Sequence, residues 1–256
     1  MAGDAMIRQG DLARDGWEFQ RRADALPIQR HQVRGERASG TNFLRVVMER
    51  HVAAVHTGDY GWKHGFVGFE VVRREDLLIT CFRAPEPWLL SLYRKPWHVP
   101  HRDRDVSFST FLRQRFETFR DMDLSPKEAK GPGVRGMPIQ LDRDPYSGLP
   151  FDNPVLLRNA KNRAFLGLRN RGCNACFLRY EAVLAEPARF LSELAVFYDI
   201  EYDVEQLDLP TENLGRFGRE VEGAHRDRQP AFSEADRAFL HETLDAATEA
   251  ALGYPV

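Results

Sequence analysis

Hydrophobic residues in this chain recur at two spacings, one typical of buried strands and the other of amphipathic helices. The clearest strand is "DLLITCFR", which is apolar enough to be buried on both faces. Strands are predicted at 28–36, 66–72, 76–83 and 176–184, the last running into a turn. Helices are predicted at 41–55, 87–94, 153–171 and 186–200. This alternation predicts an α/β fold with a mostly parallel sheet covered by helices.

The remaining segments are expected to frame this core. Residues 1–27 are expected to form an N-terminal extension, and 99–152 an irregular insertion of the kind that serves as a lid or binding loop. Near the C-terminus, Ser233 and Asp236 have the spacing of a helix capping box, and Gly253 follows the predicted helix. Neither a repeat nor a low-complexity linker divides the chain, so a single domain, 1–256, is predicted.

Composition and charge exclude several classes of protein. With 43% hydrophobic and 29% charged residues the chain is typical of a globular protein, and its net charge of −2 favours neither nucleic acid nor an acidic membrane as a partner. No apolar run approaches the ~20 residues of a membrane span, and residues 1–22 lack an apolar core for secretion. Three cysteines favour a reducing compartment. We therefore expect a cytoplasmic protein.

The stretch "GERASGTNF" (35–43) has the glycine spacing of a nucleotide-binding loop, Gly35-x4-Gly40. Such a loop opens a helix, whose backbone amides and dipole favour an anion. An NTPase would follow it with a lysine for the terminal phosphates and a Ser or Thr for Mg²⁺, but Thr41 and Asn42 stand here instead. The loop therefore predicts an anion site and disfavours an ATPase or kinase.

Two stretches together, "RASGTNFL" and "CFRAPEPWLLSLYRKPWH" (81–98), resemble the sulfotransferase family that uses 3′-phosphoadenosine 5′-phosphosulfate (PAPS). That family has an SGT-type loop for the 5′-phosphosulfate and an R-x-P…S-x-Y segment for the 3′-phosphate. A third stretch, "FLRYEAVLAEPARFLSELAVFYDIE" (177–201), is similar to the family's segment near the adenosine. The final helix also resembles that of many bacterial members. The resemblance implies a three-layer P-loop-type α/β fold and metal-independent sulfuryl transfer.

The resemblance also assigns roles to individual residues. It places the 5′-phosphosulfate at Ser39, Gly40, Thr41 and Asn42. It implies that Arg83 and Ser91 bind the 3′-phosphate, which a guanidinium fork and a hydroxyl suit. Phe43 stands where the family has a tryptophan on the adenine, and Tyr180 matches a tyrosine near the adenosine. Each has a structural alternative: a core position for Phe43, a half-buried strand aromatic for Tyr180, and a surface ion pair for Arg83.

The catalytic groups are less well defined. The family's basic residue before "SGT" is replaced by Ala38, so Arg37 or Lys63 is expected to supply the charge. "GWKHGF" (61–66) follows the loop helix, where the family has its base, and offers His64 as the base beside Lys63. The alternative for His64 is a structural role at a turn. His98 and His101 are reserve bases. The family's late basic contact to the 3′-phosphate has four candidates, Arg216, Arg219, Arg226 and Arg228.

Two further patterns are given little weight. "CNAC" (173–176) has the spacing of half a zinc site or a redox pair, but no second half follows, so ordinary reduced cysteines are expected and no metal site. Acidic residues interleave with the arginines at 101–120 and 216–228, which favours a solvated face or a small-molecule pocket over nucleic acid. The acceptor is expected to be a small molecule or glycan. The alternatives to a sulfotransferase are a divergent P-loop kinase for a small metabolite and a non-catalytic module that binds a 3′-phosphonucleotide.

Overall fold

The computed structural model describes residues 5–120, 133–211, 214 and 230–255. Within these ranges the strands are β1 (Met6–Asp11), β2 (Trp17–Arg22), β3 (Arg30–Arg34), β4 (Val55–His56), β5 (Asp76–Phe82) and β6 (Asn174–Arg179). The α-helices are α1 (Leu12–Asp15), α2 (Thr41–His51), α3 (Pro85–Arg94), α4 (His101–Arg104), α5 (Phe108–Arg113), α6 (Pro154–Leu166), α7 (Tyr180–Ala185), α8 (Pro187–Tyr198), α9 (Glu234–Thr243) and α10 (Ala246–Leu252). Short 3-10 helices span Gln140–Asp142 and Gly167–Asn170. No helix in these ranges is both long and apolar enough to cross a membrane.

The six strands form one mixed sheet in the order β1-β2-β6-β5-β3-β4. Four of them, β6, β5, β3 and β4, pair in parallel, while β1 and β2 are antiparallel additions beyond β6. In the central register, Ile79 of β5 lies opposite Val33 of β3 and Cys176 of β6. The prediction of an α/β protein with a mostly parallel sheet flanked by helices is confirmed.

Helices cover both faces of this sheet. Alternate residues of a strand face opposite sides, and every residue of β5 is buried. On one side, Leu77, Ile79 and Cys81 join a core cluster with α2 and α8. On the other, Leu78 and Phe82 pack with residues of α6 and α10. Burial on both faces explains why β5 is almost continuously apolar.

Residues 6–22, expected to lie in an N-terminal extension, instead supply β1 and β2 of the sheet. Trp17 of β2 is buried edge-on against Phe190 of α8, with ring centroids 5.5 Å apart. The hydrophobic pattern fails here because a polar residue of β2, Gln20, is also buried. Its side-chain NH₂ group donates to the carbonyl of Cys173 at 3.1 Å, so the amide nitrogen keeps a hydrogen bond despite burial.

The strand predicted at 66–72 is wrong, because these residues form an irregular segment. The position beside β3 is taken by the two-residue strand β4. Val67, Phe69 and Val72 are nevertheless packed against the hydrophobic core. Their alternation therefore reflects burial of side chains without pairing of the backbone.

The four predicted helices correspond to α2, α3, α6 and α8, with shorter ends in three cases. Helix α2 ends at His51 rather than at 55, since the chain turns there towards β4. Helix α6 ends at Leu166 and continues as a 3-10 helix. Strand β6 leads into helix α7 rather than into a turn. The expected element types are therefore present, and their boundaries moved by a few residues.

The C-terminal region contains the expected capping box but two helices where one was predicted. The amide of Asp236 donates to the hydroxyl of Ser233 at 3.1 Å, and the amide of Ser233 donates back to the Asp236 carboxylate at 3.2 Å. Asp245 starts the second helix by accepting from the amide of Thr248 at 3.0 Å. Gly253 ends it in the left-handed conformation at φ 76°.

The insertion at 99–152 is irregular where it is described, with only α4, α5 and one 3-10 helix. The amide of Phe116 donates to the carbonyl of Phe151 at 2.8 Å and so joins the first half of the insertion to its end. Five aromatic residues were expected to line a pocket or to pack the lid: Phe108, Phe111, Phe116, Phe119 and Tyr146. The first three are buried in a cluster with α3 and α9, whereas Tyr146 is 97% exposed. Packing therefore accounts for most of them.

Strands β3 and β5 are neighbours whose connections leave in opposite directions. After β3 the chain passes through α2 to β4, and after β5 it passes through α3 and eventually to β6 on the other side. Ligands of open α/β sheets bind outside the carboxyl ends of two such strands. The loop at 35–40 follows β3 and Arg83 follows β5, so both lie at this point of the fold.

Candidate functional site

The loop at 35–40 is held tightly between strand β5 and Tyr180. Gly35 has φ 152°, and a Cβ added there would meet the carbonyl oxygen of Cys81 at 2.4 Å. Gly40 has φ 90°, and its added Cβ would meet the ring of Tyr180 at 2.2 Å. Backbone conformation and close approach therefore both require glycine at the two positions that gave the loop its recognisable spacing.

Helix α2 begins at this loop without a side-chain cap. In the described part of the chain, no acceptor takes the backbone N–H groups of Thr41, Asn42 and Phe43. Ser39 and Thr41 are buried, whereas Asn42 and Phe43 are partly exposed. Unpaired amides at the positive end of an eleven-residue helix make this terminus suited to an anion.

The turn at 61–66 is bonded directly to the start of the loop. His64 Nδ1 lies 2.7 Å from the carbonyl oxygen of Gly35, and the Gly35 amide donates to the carbonyl of Lys63 at 3.1 Å. A carbonyl oxygen can only accept, so Nδ1 carries the proton and Nε2 keeps its lone pair. No residue in the described ranges forms a hydrogen bond with Nε2.

The electrostatic surroundings keep this histidine neutral. Burial, followed by the charge of Lys63, holds the pKa of His64 well below its usual value. The imidazole is therefore neutral at neutral pH, with Nε2 available to accept a second proton.

Lys63 reaches the first turn of α2, where its ammonium group donates to the side-chain carbonyl of Asn42. The amide nitrogen of Asn42 donates in turn to the carbonyl of Leu214 at 2.9 Å. Burial lowers the pKa of Lys63 to about 8. Among the described residues no carboxylate pairs with Lys63, so its charge is uncompensated beside the helix terminus.

On the other side of the loop, Arg83 donates through Nη1 to the carbonyl of Ala38 at 2.9 Å. Its guanidinium lies 5.2 Å from the centre of the Tyr180 ring, which makes an edge contact with Phe43 at 5.7 Å. The structure thus brings Arg83, Tyr180 and Phe43 together at the loop. Ser91 lies on α3, and no hydrogen bond joins it to Arg83.

Glu181 is a member of this group that sequence reasoning missed. Its carboxylate accepts from the backbone amide of Ala84 at 2.9 Å and from the hydroxyl of Tyr254 at 2.9 Å. The residue after Arg83 is therefore fixed from helix α7. The signal was present in "RYEAVL", where Glu181 directly follows Tyr180, but a carboxylate beside an expected phosphate site gave no reason to select it.

Arg37 lies in a buried ion cluster that consists of Glu36, Arg37, Asp142 and Lys161. Arg37 bonds Asp142 at 2.6 Å and Glu36 at 3.1 Å, while Lys161 pairs with Glu36 at 2.7 Å and also with Asp142. The hydroxyl of Thr118 donates to Asp142 as well. Arg37 is therefore paired with carboxylates, in contrast to Lys63, the other residue expected to replace the missing loop cation.

The charges in the buried ion cluster balance. Burial alone would raise the pKa of Asp142, but Arg37 and Lys161 hold it far below its usual value. Burial likewise opposes the charged form of Arg37, but Asp142 and Glu36 raise its pKa above the usual value. Lys161 is one of only five lysines in the sequence, and this rarity was the available sign of a special role.

Of the reserve bases, His98 is buried with φ 71° and lies edge-on to Trp62, at 5.8 Å between ring centres. Trp62 also makes an edge contact with His64, at 5.4 Å between ring centres. His98 Nδ1 donates to the carbonyl of Phe119 at 3.1 Å, and burial lowers the pKa of His98 to about 3. His101 begins helix α4.

The late phosphate-contact candidates Arg216, Arg219, Arg226 and Arg228 lie outside the described residues. The cysteines of "CNAC", Cys173 and Cys176, are buried free thiols, as is Cys81. In the described ranges no group of three or more His, Cys, Asp or Glu side chains is arranged to hold a metal ion.

Comparison of the chain with models of protein families, with curated proteins and with solved structures finds no match. The chemistry open to the site therefore follows from the groups that it contains. They are a neutral histidine with a free Nε2, an uncompensated lysine, an uncapped helix N-terminus and an arginine at the next strand end. Such a set can bind a polyanion and remove a proton from a second molecule.

Proposed function

We propose that the protein is a sulfotransferase on a P-loop-type fold, moving a sulfuryl group from PAPS to a hydroxyl or amine of a small-molecule or glycan acceptor. One observation carries the proposal. The turn bearing Lys63 and His64 is hydrogen-bonded to Gly35 of the loop that opens α2, and Arg83 is bonded to the same loop from the neighbouring strand. A base, a cation and a guanidinium thus surround a helix terminus suited to an anion.

We assign the binding of the PAPS donor to residues of the loop and to residues on either side of it. Ser39, Gly40, Thr41 and Asn42 hold the 5′-phosphosulfate, through the unpaired amides at the start of α2. Phe43 and Tyr180 lie beside the adenosine. Arg83 and Ser91 bind the 3′-phosphate, and Nε of Arg83 is buried without an acceptor in the described residues, so its guanidinium retains hydrogen-bonding capacity.

The proposed reaction uses His64, Lys63 and the start of α2. Nε2 of His64 takes the proton of the acceptor hydroxyl or amine as the acceptor atom bonds to sulfur. The bond from sulfur to the 5′-phosphate oxygen breaks, and 3′-phosphoadenosine 5′-phosphate leaves. The amides of α2 and the ammonium of Lys63 stabilise the charge that develops on the departing oxygen. A sulfuryl group carries less charge than a phosphoryl group, so we expect the reaction to proceed without Mg²⁺.

The acceptor is expected to approach from the side of the 99–152 insertion. Leu141 of this insertion lies against Gly65, next to His64, so that a Cβ added at Gly65 would meet its side chain at 2.8 Å. A cytoplasmic location belongs to the same proposal, since the three thiols are unpaired and a reducing compartment keeps them so.

The proposal is tested by calorimetric titration with 3′-phosphoadenosine 5′-phosphate in the presence of EDTA. We expect micromolar or tighter binding, on the order of −8 kcal/mol, that depends on the 3′-phosphate and so exceeds binding of adenosine 5′-phosphate. Arg83→Ala is expected to abolish this difference between the two nucleotides, because it removes the fork that recognises the 3′-phosphate.

Each other outcome points to one of the alternatives. Equal binding of both nucleotides contradicts the sulfotransferase assignment. A requirement for Mg²⁺ would favour the divergent kinase. Binding that needs the 3′-phosphate, but with no sulfated product from PAPS over a broad acceptor screen, would favour the non-catalytic binding module, for which the missing loop lysine at Ala38 is the supporting feature.

A pH dependence follows from Lys63. Burial depresses its pKa to about 8, so its positive charge is present below that pH and is lost as the pH rises through it. Affinity for 3′-phosphoadenosine 5′-phosphate is therefore expected to fall by about tenfold between pH 7 and pH 9.5, the scale of one charge-assisted hydrogen bond. Titrations at constant ionic strength measure this. Lys63→Met should bind weakly at every pH and Lys63→Arg should stay tight to pH 9.5, whereas a wild-type affinity that is flat to pH 9.5 would contradict the role of Lys63.

A further inference from the structure

Strand β3 is unusually polar for a buried strand, and its polar side chains hold the segment that carries His64. The carboxamide of Gln32 donates to the carbonyl of Gly61 at 2.8 Å and accepts from the amide of Tyr60 at 2.9 Å. Arg34 stands two residues further along β3 and so on the same face. The polar face of β3 therefore supplies side-chain hydrogen bonds to this segment, which does not pair with β3 as a strand.

Arg34 bonds the turn through four backbone carbonyl groups. Its Nη1 donates to the carbonyl of Tyr60 at 2.6 Å. Its Nη2 lies 3.2 Å from the carbonyl oxygen of Gly65 and 3.4 Å from those of Trp62 and Phe66. These carbonyls flank His64 on both sides along the chain. The segment has neither helix nor strand of its own here. The carbonyl of Trp62 also accepts from the amide of Gly65 at 2.9 Å, whereas those of Tyr60, Gly65 and Phe66 have no other partner among the described residues.

No simpler role accounts for this arginine. Arg34 is 1% exposed, and no carboxylate pairs with it in the described part of the chain. An uncompensated guanidinium is costly to bury, and burial lowers the pKa of Arg34 to about 10. A planar fork of donors is what four converging carbonyls require, and a lysine would offer only a single nitrogen.

We propose that Arg34 is a positioning residue for the reaction. By shaping the 60–66 turn, it lets Nδ1–H of His64 donate to the carbonyl of Gly35, which leaves Nε2 free to act as the base. The inference rests on the proposed function for its kinetic consequence. Its structural part, the fixed tautomer of His64, holds whatever the substrate is.

The experiment compares Arg34→Met and Arg34→Lys with the wild-type protein by NMR of the imidazole nitrogens. In the wild type we expect a neutral His64 ring protonated at Nδ1, with the signal identified by its loss in His64→Gln. Both Arg34 variants are expected to show a mixture of the two neutral tautomers. The matched control is Arg158→Lys, which changes another fully buried arginine that bonds Glu249, in α10, and not the turn.

The kinetic arm measures sulfuryl transfer by the same variants. We expect kcat to fall by about 100-fold in Arg34→Met, the usual cost of a reacting group displaced by about 1 Å. The fall should be smaller in Arg34→Lys, with the donor KM little changed in both. Arg158→Lys should lose stability without altering the His64 signal or the ratio of kcat to donor KM.

The inference is overturned if the Arg34 variants keep both the Nδ1-protonated signal and the wild-type kcat. It is also overturned if Arg158→Lys changes them equally, since the effect would then follow stability alone. If Arg34→Met does not fold, Arg34→Lys decides. If the proposed function is wrong, the wild type will neither bind 3′-phosphoadenosine 5′-phosphate nor transfer sulfuryl groups. The tautomer measurement then still decides whether Arg34 fixes the turn.

Discussion

Replacing His64 with alanine is expected to lower kcat for sulfuryl transfer by about 10²–10⁴-fold, the usual contribution of a general base. The Nδ1 hydrogen bond to Gly35 fixes the ring with Nε2 unprotonated, so no second tautomer has to be overcome before proton transfer. Affinity for 3′-phosphoadenosine 5′-phosphate should change little, because the imidazole is neutral and adds no charge to the anion site. Initial rates with the best acceptor from a screen, combined with calorimetry, measure both quantities.

The matched control for His64→Ala is His98→Ala. His98, like His64, makes an edge contact with Trp62, and burial lowers the pKa of His98 to about 3. We expect the His98 variant to keep most of its kcat. If His98→Ala removes the activity while His64→Ala spares it, the base has been assigned to the wrong histidine.

Lys161→Met is expected to lower the free energy of unfolding by about 3–5 kcal/mol, the range seen when one partner of a buried ion pair is removed. Lys161 is fully buried between two carboxylates, so its loss leaves Glu36 and Asp142 sharing Arg37 alone. One negative charge is then buried without compensation. Urea unfolding followed by circular dichroism measures the change, provided that the variant and the wild type share the same slope of unfolding free energy against urea concentration.

Two further variants show whether this loss comes from the uncompensated charge. Adding Asp142→Asn to Lys161→Met removes that charge and should recover part of the stability. Arg45→Met breaks an exposed helical pair with Glu49 and should cost only about 0.3–0.5 kcal/mol. A loss in Lys161→Met as small as in Arg45→Met would mean that Lys161 adds little to the balance of the buried ion cluster.

The parts of the fold that the sequence predicted are those buried on both faces or capped locally. Strand β5 is apolar because helices cover both sides of it, and the Ser233–Asp236 box is formed by residues three apart. Strand β2 escaped notice because Gln20 is buried through hydrogen bonds to backbone groups of residues 168 and 173. The segment at 66–72 misled for the opposite reason, since Val67, Phe69 and Val72 are partly buried against the core without strand pairing. Both errors arise from contacts that hydrophobic periodicity does not record.

The candidate site, too, has parts that the sequence predicts and parts that it does not. The loop and the start of α2 could be predicted because a strand, a glycine turn and a helix follow one another in the chain. The pairing of Arg37 with Asp142 could not, since 105 residues separate them and each looks like an ordinary charged residue alone. The hydrogen bonds of Arg34 were equally hidden, because they run to backbone carbonyls, which carry no side-chain signature.

The hydrogen bond between Phe116 and Phe151 holds the two ends of the intervening segment together. Closure entropy changes only slowly with the length of such a loop, so, on the proposed function, we expect this segment to accept sequence exchanges that change acceptor specificity. The buried ion cluster limits which residues of this segment can be exchanged. Thr118 and Asp142 lie inside this segment. Asp142 pairs with Arg37 and Lys161 and accepts from the hydroxyl of Thr118, so a transplanted loop would have to reproduce both residues in place.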